Sequence, residues 1–127
     1  MSTFPSEEWF EAAVDWLAND AQFDRTSVHF DATVLFEFGD DGYVVELSDG
    51  EIDAVHTEPM FVGWDFAVRA PVDTWENLLS ESPPPFYNDL RSVWLQYDLE
   101  IEGDLKRAIQ HWRPLKRMVT AFAEVSR

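Results

Sequence analysis

Apolar residues recur along this chain in two alternating rhythms. Trp9, Phe10, Ala13, Val14, Trp16 and Leu17 repeat at helical spacing. Ser6 stands where an N-cap belongs and Glu8 lies in the first turn, so the pattern predicts an amphipathic helix over residues 6–18, ended by Asn19-Asp20. The rhythm then changes to a period of two. Val28, Phe30, Ala32, Val34, Phe36 and Phe38 alternate with His29, Asp31, Thr33 and Glu37, with Leu35 as the exception. Gly39-Asp40-Asp41-Gly42 predicts a turn. Tyr43, Val45 and Leu47 share one face of a second strand, and Asp49-Gly50 signals a two-residue hairpin into a third strand over residues 51–57. After Glu58-Pro59, the residues Val62, Trp64, Phe66, Val68 and Ala70 alternate against Gly63, Asp65, Ala67 and Arg69.

Four consecutive strands predict a largely antiparallel meander with one apolar face that another layer must cover. The cover is helical. Pro71 suits a helix start, and Val72, Trp75, Leu78 and Leu79 share a face. Pro83, Pro84 and Pro85 end that helix, and residues 86–94 read as a short helix. Residues 96–102 give a fifth strand with Tyr97, Leu99 and Ile101 on one face. Helices follow over residues 104–112 and 114–125, with Pro114 at a natural first position and Leu115, Met118, Val119 and Phe122 forming the last apolar stripe. Strands and helices segregate, so the class is α+β, and residues 1–127 read as one domain.

Composition narrows the function classes. The chain is 46% hydrophobic with nineteen aromatic rings, enough for a filled core or a lined cavity. The absence of cysteine excludes disulfides, thiol catalysis and Cys-ligated metal. The N-terminus lacks the basic and apolar regions of a signal peptide, and no apolar run approaches the roughly 20 residues of a membrane span. The expectation is a cytoplasmic chain without stable membrane insertion. A net charge of −16 repels phosphate backbones and argues against nucleic-acid binding. Abundant acids beside only two lysines resemble a salt-adapted surface. The charge is uneven: residues 106–127 carry six cations and one acid, +5, and the preceding 105 residues carry −21. This basic segment either docks on an acidic body or offers a cationic rim to a ligand head, with Arg113, Lys116 and Arg117 as the candidates.

Catalytic signatures are missing. His29, His56 and His111 have no metal-binding spacing, the serines lack a nucleophile-elbow setting, and five scattered glycines form no phosphate loop. Asp65 and Arg69 share the polar face of a strand and can pair there. No catalytic residue, metal or cofactor is expected. Apolar surface is what remains. Trp64 and Phe66 are expected to face the layer covered by Trp75, Leu78 and Leu79, with Phe86 and Tyr87 of the Pro-rich segment at a rim.

A helix with Trp75-Glu76-Asn77-Leu78-Leu79, followed by a strand ending Ile101-Glu102-Gly103-Asp104 and then terminal helices, resembles the sterol carrier protein 2 (SCP2-like) family. The likeness spans roughly residues 6–125. The loop after the W-x-x-L-L helix usually contains glycine in that family and is Pro-rich here. The resemblance implies a single five-stranded, largely antiparallel sheet covered on one face by helices. It implies an apolar tunnel between the two layers for a small hydrophobic ligand: a sterol, fatty acid or acyl-CoA. The lining expected on this basis is Trp64, Phe66, Trp75, Leu79, Phe86, Tyr87, Trp94, Trp112 and Phe122. A protein-interaction or homodimerisation module without ligand is the alternative. A cone-shaped fold of the ketosteroid-isomerase type would start with several helices, and only one is evident.

Overall fold

A computed structural model describes residues 3–85, 87, 89–96 and 98–126. The elements run in the order α1 (Glu7–Ala18), α2 (Ala21–Thr26), β1 (Ala32–Phe38), β2 (Asp41–Ser48), β3 (Glu51–His56), a 3-10 turn (Pro59–Phe61), β4 (Phe66–Ala70), α3 (Val72–Leu79), α4 (Leu90–Gln96), β5 (Glu100–Gly103), α5 (Leu105–Gln110) and α6 (Trp112–Val125). No helix among them is long and apolar enough to cross a membrane.

Local chemistry sets the helix starts. Ser6, Asp20 and Asp104 each accept a hydrogen bond from the backbone N–H three residues on, so three first turns are capped by side-chain oxygens. Helix α2 occupies residues to which the periodicity assigned no element, and β1 begins at Ala32 where the alternation placed its start at Val28. Val28 is accordingly exposed, and His29 takes a positive φ of 67°. Asp20 starts that extra helix by capping it instead of merely ending α1. Pro114 is the third residue of α6 rather than its first, a position where an absent N–H is still harmless because the first-turn donors have no intrahelical acceptor.

The five strands form one sheet in the order β3-β2-β1-β4-β5. The expected meander breaks at β4, which crosses to the far side of β1 and pairs with it in parallel, while the other three pairings are antiparallel. Leu35, the exception to alternation, explains the break. It stands opposite Val44 on one side and Ala67 on the other. These three residues form a second apolar cluster on the outer face, against which Val62 and Trp64 pack. A strand apolar on both faces belongs in the middle of a sheet, and the connection between β3 and β4 serves as its outer cover.

The inner face holds the main core. Trp9, Phe36, Phe38, Phe66 and Trp75 are fully buried, and Phe10 and Phe122 nearly so. Helices α1 and α6 lie across this face, joined by Trp9 Nε1–H donating to Ser126 Oγ at 2.8 Å. The Tyr43 hydroxyl donates to the Pro5 carbonyl at 2.6 Å and ties down the N-terminal segment.

Left-handed backbone also marks the turns between elements. Asp49 and Gly50 have φ of 48° and 81°, which matches the tight hairpin read from the sequence. Gly103, between β5 and α5, has φ of 96°, and a Cβ there would lie 2.5 Å from the Asp65 carbonyl oxygen. Gly103→Ala is therefore expected to cost about 1–3 kcal/mol, read as a lower urea midpoint at unchanged slope.

Candidate functional site

Helix α3 is anchored to the sheet by Trp75. Its indole Nε1–H donates to the Glu37 carbonyl at 2.8 Å, and its ring lies 4.7 Å from Phe38 and 6.2 Å from Phe122. Three of the expected lining residues, Phe66, Trp75 and Phe122, thus lie in an interior already occupied by rings. Free room appears instead among the helices, beside the residues that follow α3.

Two depressions meet there, sharing Ser80 and Glu81. One, of about 410 Å³, is bordered by Phe4, Glu76, Leu79 and Ser126. That volume falls within the roughly 300–1,000 Å³ of small-molecule pockets. The other is a cleft of about 290 Å³ between α3, α4 and α6. Its apolar floor is Leu78, Leu90, Val119 and Ala123, and Asp89, Lys116 and Glu124 stand at its edge. Val119 belongs to the apolar stripe recognised on the last helix. Leu90 and Asp89 escape the sequence because the Pro-rich run hides where α4 begins, and Ala123 because it lies beside the apolar stripe of α6.

Of the remaining expected residues, Leu79 is buried and borders the first depression. Tyr87 is half-buried against the core. Phe86 lies outside the described residues, as does Tyr97. Trp94 and Trp112 pair with each other, ring centroids 5.6 Å apart, and are half-buried. Trp64 is on the outer face of the sheet, away from Phe66. The chain straightens into β4 only at Phe66, so alternation read back to residue 64 gives the wrong side.

The three head-group candidates have different fates. Lys116 stands at the cleft, its Nζ 3.5 Å from Asp89. Arg117 forms a two-toothed pair with Asp20, Nε and Nη2 at 2.6 and 2.8 Å from the carboxylate oxygens, and its guanidinium lies 4.9 Å from the Trp16 ring. The Arg117 hydrogen bonds hold the Asp20 carboxyl below its usual range despite opposing desolvation, while Asp20 raises Arg117 in turn. Arg113 is exposed on the first turn of α6. The basic segment therefore docks on the acidic body through Arg117, and Lys116 alone of the three reaches the cleft.

Asp65 does not pair with Arg69. It accepts from the Thr33 N–H at 2.7 Å and meets Arg107 at 3.0 Å, fastening α5 to the sheet edge. Arg69 lies instead between Glu37 and Glu102, at 3.6 and 3.7 Å. On the outer face His56 hydrogen-bonds Glu46. Among the described residues no group of three or more His, Asp or Glu is placed to hold a metal ion.

An open five-stranded mixed sheet with this crossover and its helices on the inner side is the SCP2-like fold. The crystal structure of sterol carrier protein 2 matches with a TM-score of 0.76 at 16% identity, over 94% of this chain and 96% of that one. A solution structure of a conserved hypothetical protein from Thermus thermophilus matches with a TM-score of 0.74 at 18% identity, over 99% and 91%. The UbiJ-SCP2 ubiquinone synthesis protein matches with a TM-score of 0.58 at 16% identity, over 98% and 97%. At such identities the likeness is one of fold. No protein-family model matches the sequence, and no curated protein matches it significantly.

Proposed function

We propose that this chain binds a small hydrophobic ligand without covalent chemistry, of the sterol, fatty-acid or acyl-CoA class, and carries it rather than transforming it. The observation behind this reading is the apolar-floored cleft between α3, α4 and α6, in a fold shared with sterol carrier protein 2. Affinity comes from removing hydrocarbon from water, at about 0.8 kcal/mol per methylene. The ligand lies along Leu78, Leu90 and Val119 with its polar end near Lys116. The interior between sheet and helices is packed with rings, so the bound chain occupies the helical layer and not a tunnel against the strands.

Displacement of a fluorescent fatty acid, backed by native mass spectrometry of the purified protein, tests this. Binding at micromolar levels is expected. Ala123→Trp, which fills the cleft from a half-buried helix position, should weaken it at least about tenfold with little loss of fold. Absence of binding to the unaltered protein, or full binding by Ala123→Trp, overturns the proposed site.

A further inference from the structure

We propose that the face made by α4, α5 and the start of α6 docks reversibly on an anionic lipid surface. Large aliphatic side chains are rarely exposed without a reason when they cluster, and two stand here: Leu95 is 62% exposed and Ile109 55%. Leu95 directly follows Trp94, and Ile109 lies one turn before Trp112. The two exposed side chains thus flank the half-buried tryptophan pair. Paired indoles with an apolar body and a polar N–H are side chains suited to a membrane–water boundary.

Charge selects the occupant. Ion pairs take up Arg69, Arg107, Lys116 and Arg117. Arg91, Lys106 and Arg113 are exposed and take part in no ion pair among the described residues. Arg91 is one helical turn from Leu95 and Lys106 one turn from Ile109, so each shares the exposed side of its helix, and Arg113 directly follows Trp112 of the tryptophan pair. The nearby acids Asp89 and Asp104 are held by Lys116 and Arg107. Asp98, exposed three residues beyond Leu95, is an acid of this stretch outside any ion pair among the described residues, and it borders a depression with Glu37, Asp40 and Glu100. A protein of net charge −16 thus carries here cations outside any ion pair beside two exposed aliphatics. Basic and apolar residues in this mixture bind anionic lipid at the head-group level without insertion. The repulsion from the rest of the body is screened beyond about 8 Å at physiological ionic strength. The surface adjoins α4, one wall of the cleft, so a carrier attached through it would present that wall to the bilayer.

Flotation with vesicles tests the assignment, comparing equal parts phosphatidylglycerol and phosphatidylcholine with phosphatidylcholine alone. Salt-sensitive recovery with the anionic vesicles is expected, at least about tenfold above the neutral ones. The double variants Arg91→Glu/Arg113→Glu and Leu95→Ser/Ile109→Ser, folded by circular dichroism, should each abolish it. No flotation of the unaltered protein, or equal flotation of the variants, overturns the proposal. So does concentration-dependent dimerisation by light scattering that Leu95→Ser/Ile109→Ser removes while vesicles are ignored. Displacement of the fluorescent fatty acid in vesicle-free buffer is read in parallel, and its failure strikes the carrier reading alone.

Discussion

Phe38→Ala is expected to lower stability by about 3–5 kcal/mol. Phe38 is fully buried at the centre of the aromatic cluster. Its ring lies 5.1 Å from Trp9 and 5.5 Å from Phe122 in edge-to-face contacts, and 4.7 Å from Trp75. Removing it deletes the hydrophobic transfer term, leaves a void and breaks several quadrupole contacts at once. The neighbours sit on three different elements, α1, α3 and α6, so no small shift of one of them refills the space. Urea unfolding reads the effect as a drop in midpoint. The measurement also bears on function. A loss under about 1 kcal/mol would mean that the interior collapses readily around a missing ring. The ligand would then belong between sheet and helices after all, and the helical cleft would lose its claim.

The second large effect is at Asp20. Its carboxylate caps α2 through the Phe23 N–H at 2.8 Å and grips Arg117 of α6 with both oxygens. Both side chains are largely shielded, 13% and 23% exposed. Asp20→Ala removes cap and pair together and should cost about 3 kcal/mol. Asp20→Asn keeps a capping oxygen, so it should cost about half as much. The sign with pH follows from the direction of the shift. The folded carboxyl is held below its ordinary value, so its contribution is complete above about pH 4 and lost as pH falls through the folded value. His111, stacked on Phe30 with centroids 4.6 Å apart, is also lowered, by burial first and by Arg107 second, against the pull of Asp31. The fold prefers its neutral ring, so that contribution is complete above about pH 6.5 and fades on acidification. Stability should therefore fall in two stages as pH drops. His111→Gln should flatten the upper stage and Asp20→Asn the lower, measured as urea midpoints across pH.

Most of the frame was legible. All five strands exist where alternation indicates them, although β1, β4 and β5 each begin four residues later than read and Gln96 belongs to α4; the hairpin follows from Asp49-Gly50, and the opening helix from its stripe and Ser6. The passage from a strand through Gly103-Asp104 straight into a helix appears as read, with Asp104 as its cap. Three things escaped, each for a physical reason. Helix α2 has six residues and one buried side chain, Phe23, too little for a periodic signal. The parallel pairing of β4 depends on contacts between distant segments, and its local trace was the single irregularity at Leu35. Trp64 alternates in sequence with Phe66, yet the backbone before residue 66 is not a strand, so the inference of a shared side failed. The candidate site was less legible than the frame. Large rings drew attention, but they fill the interior, whereas the cleft is floored by smaller side chains on three helices that only the fold assembles.

The nine residues 57–65 draping the outer side of the sheet have a wider meaning. By shielding Leu35, Val44 and Ala67 with a short strap, the chain closes that side without a second helical layer. Every helix is then free to work on the opposite side. The strands are pinned by matched partners above and below, while a covering helix asks only for a greasy stripe of suitable width. Such an arrangement tolerates wholesale replacement of the roof over an unchanged floor, which is how molecules with so few letters in common can keep one shape.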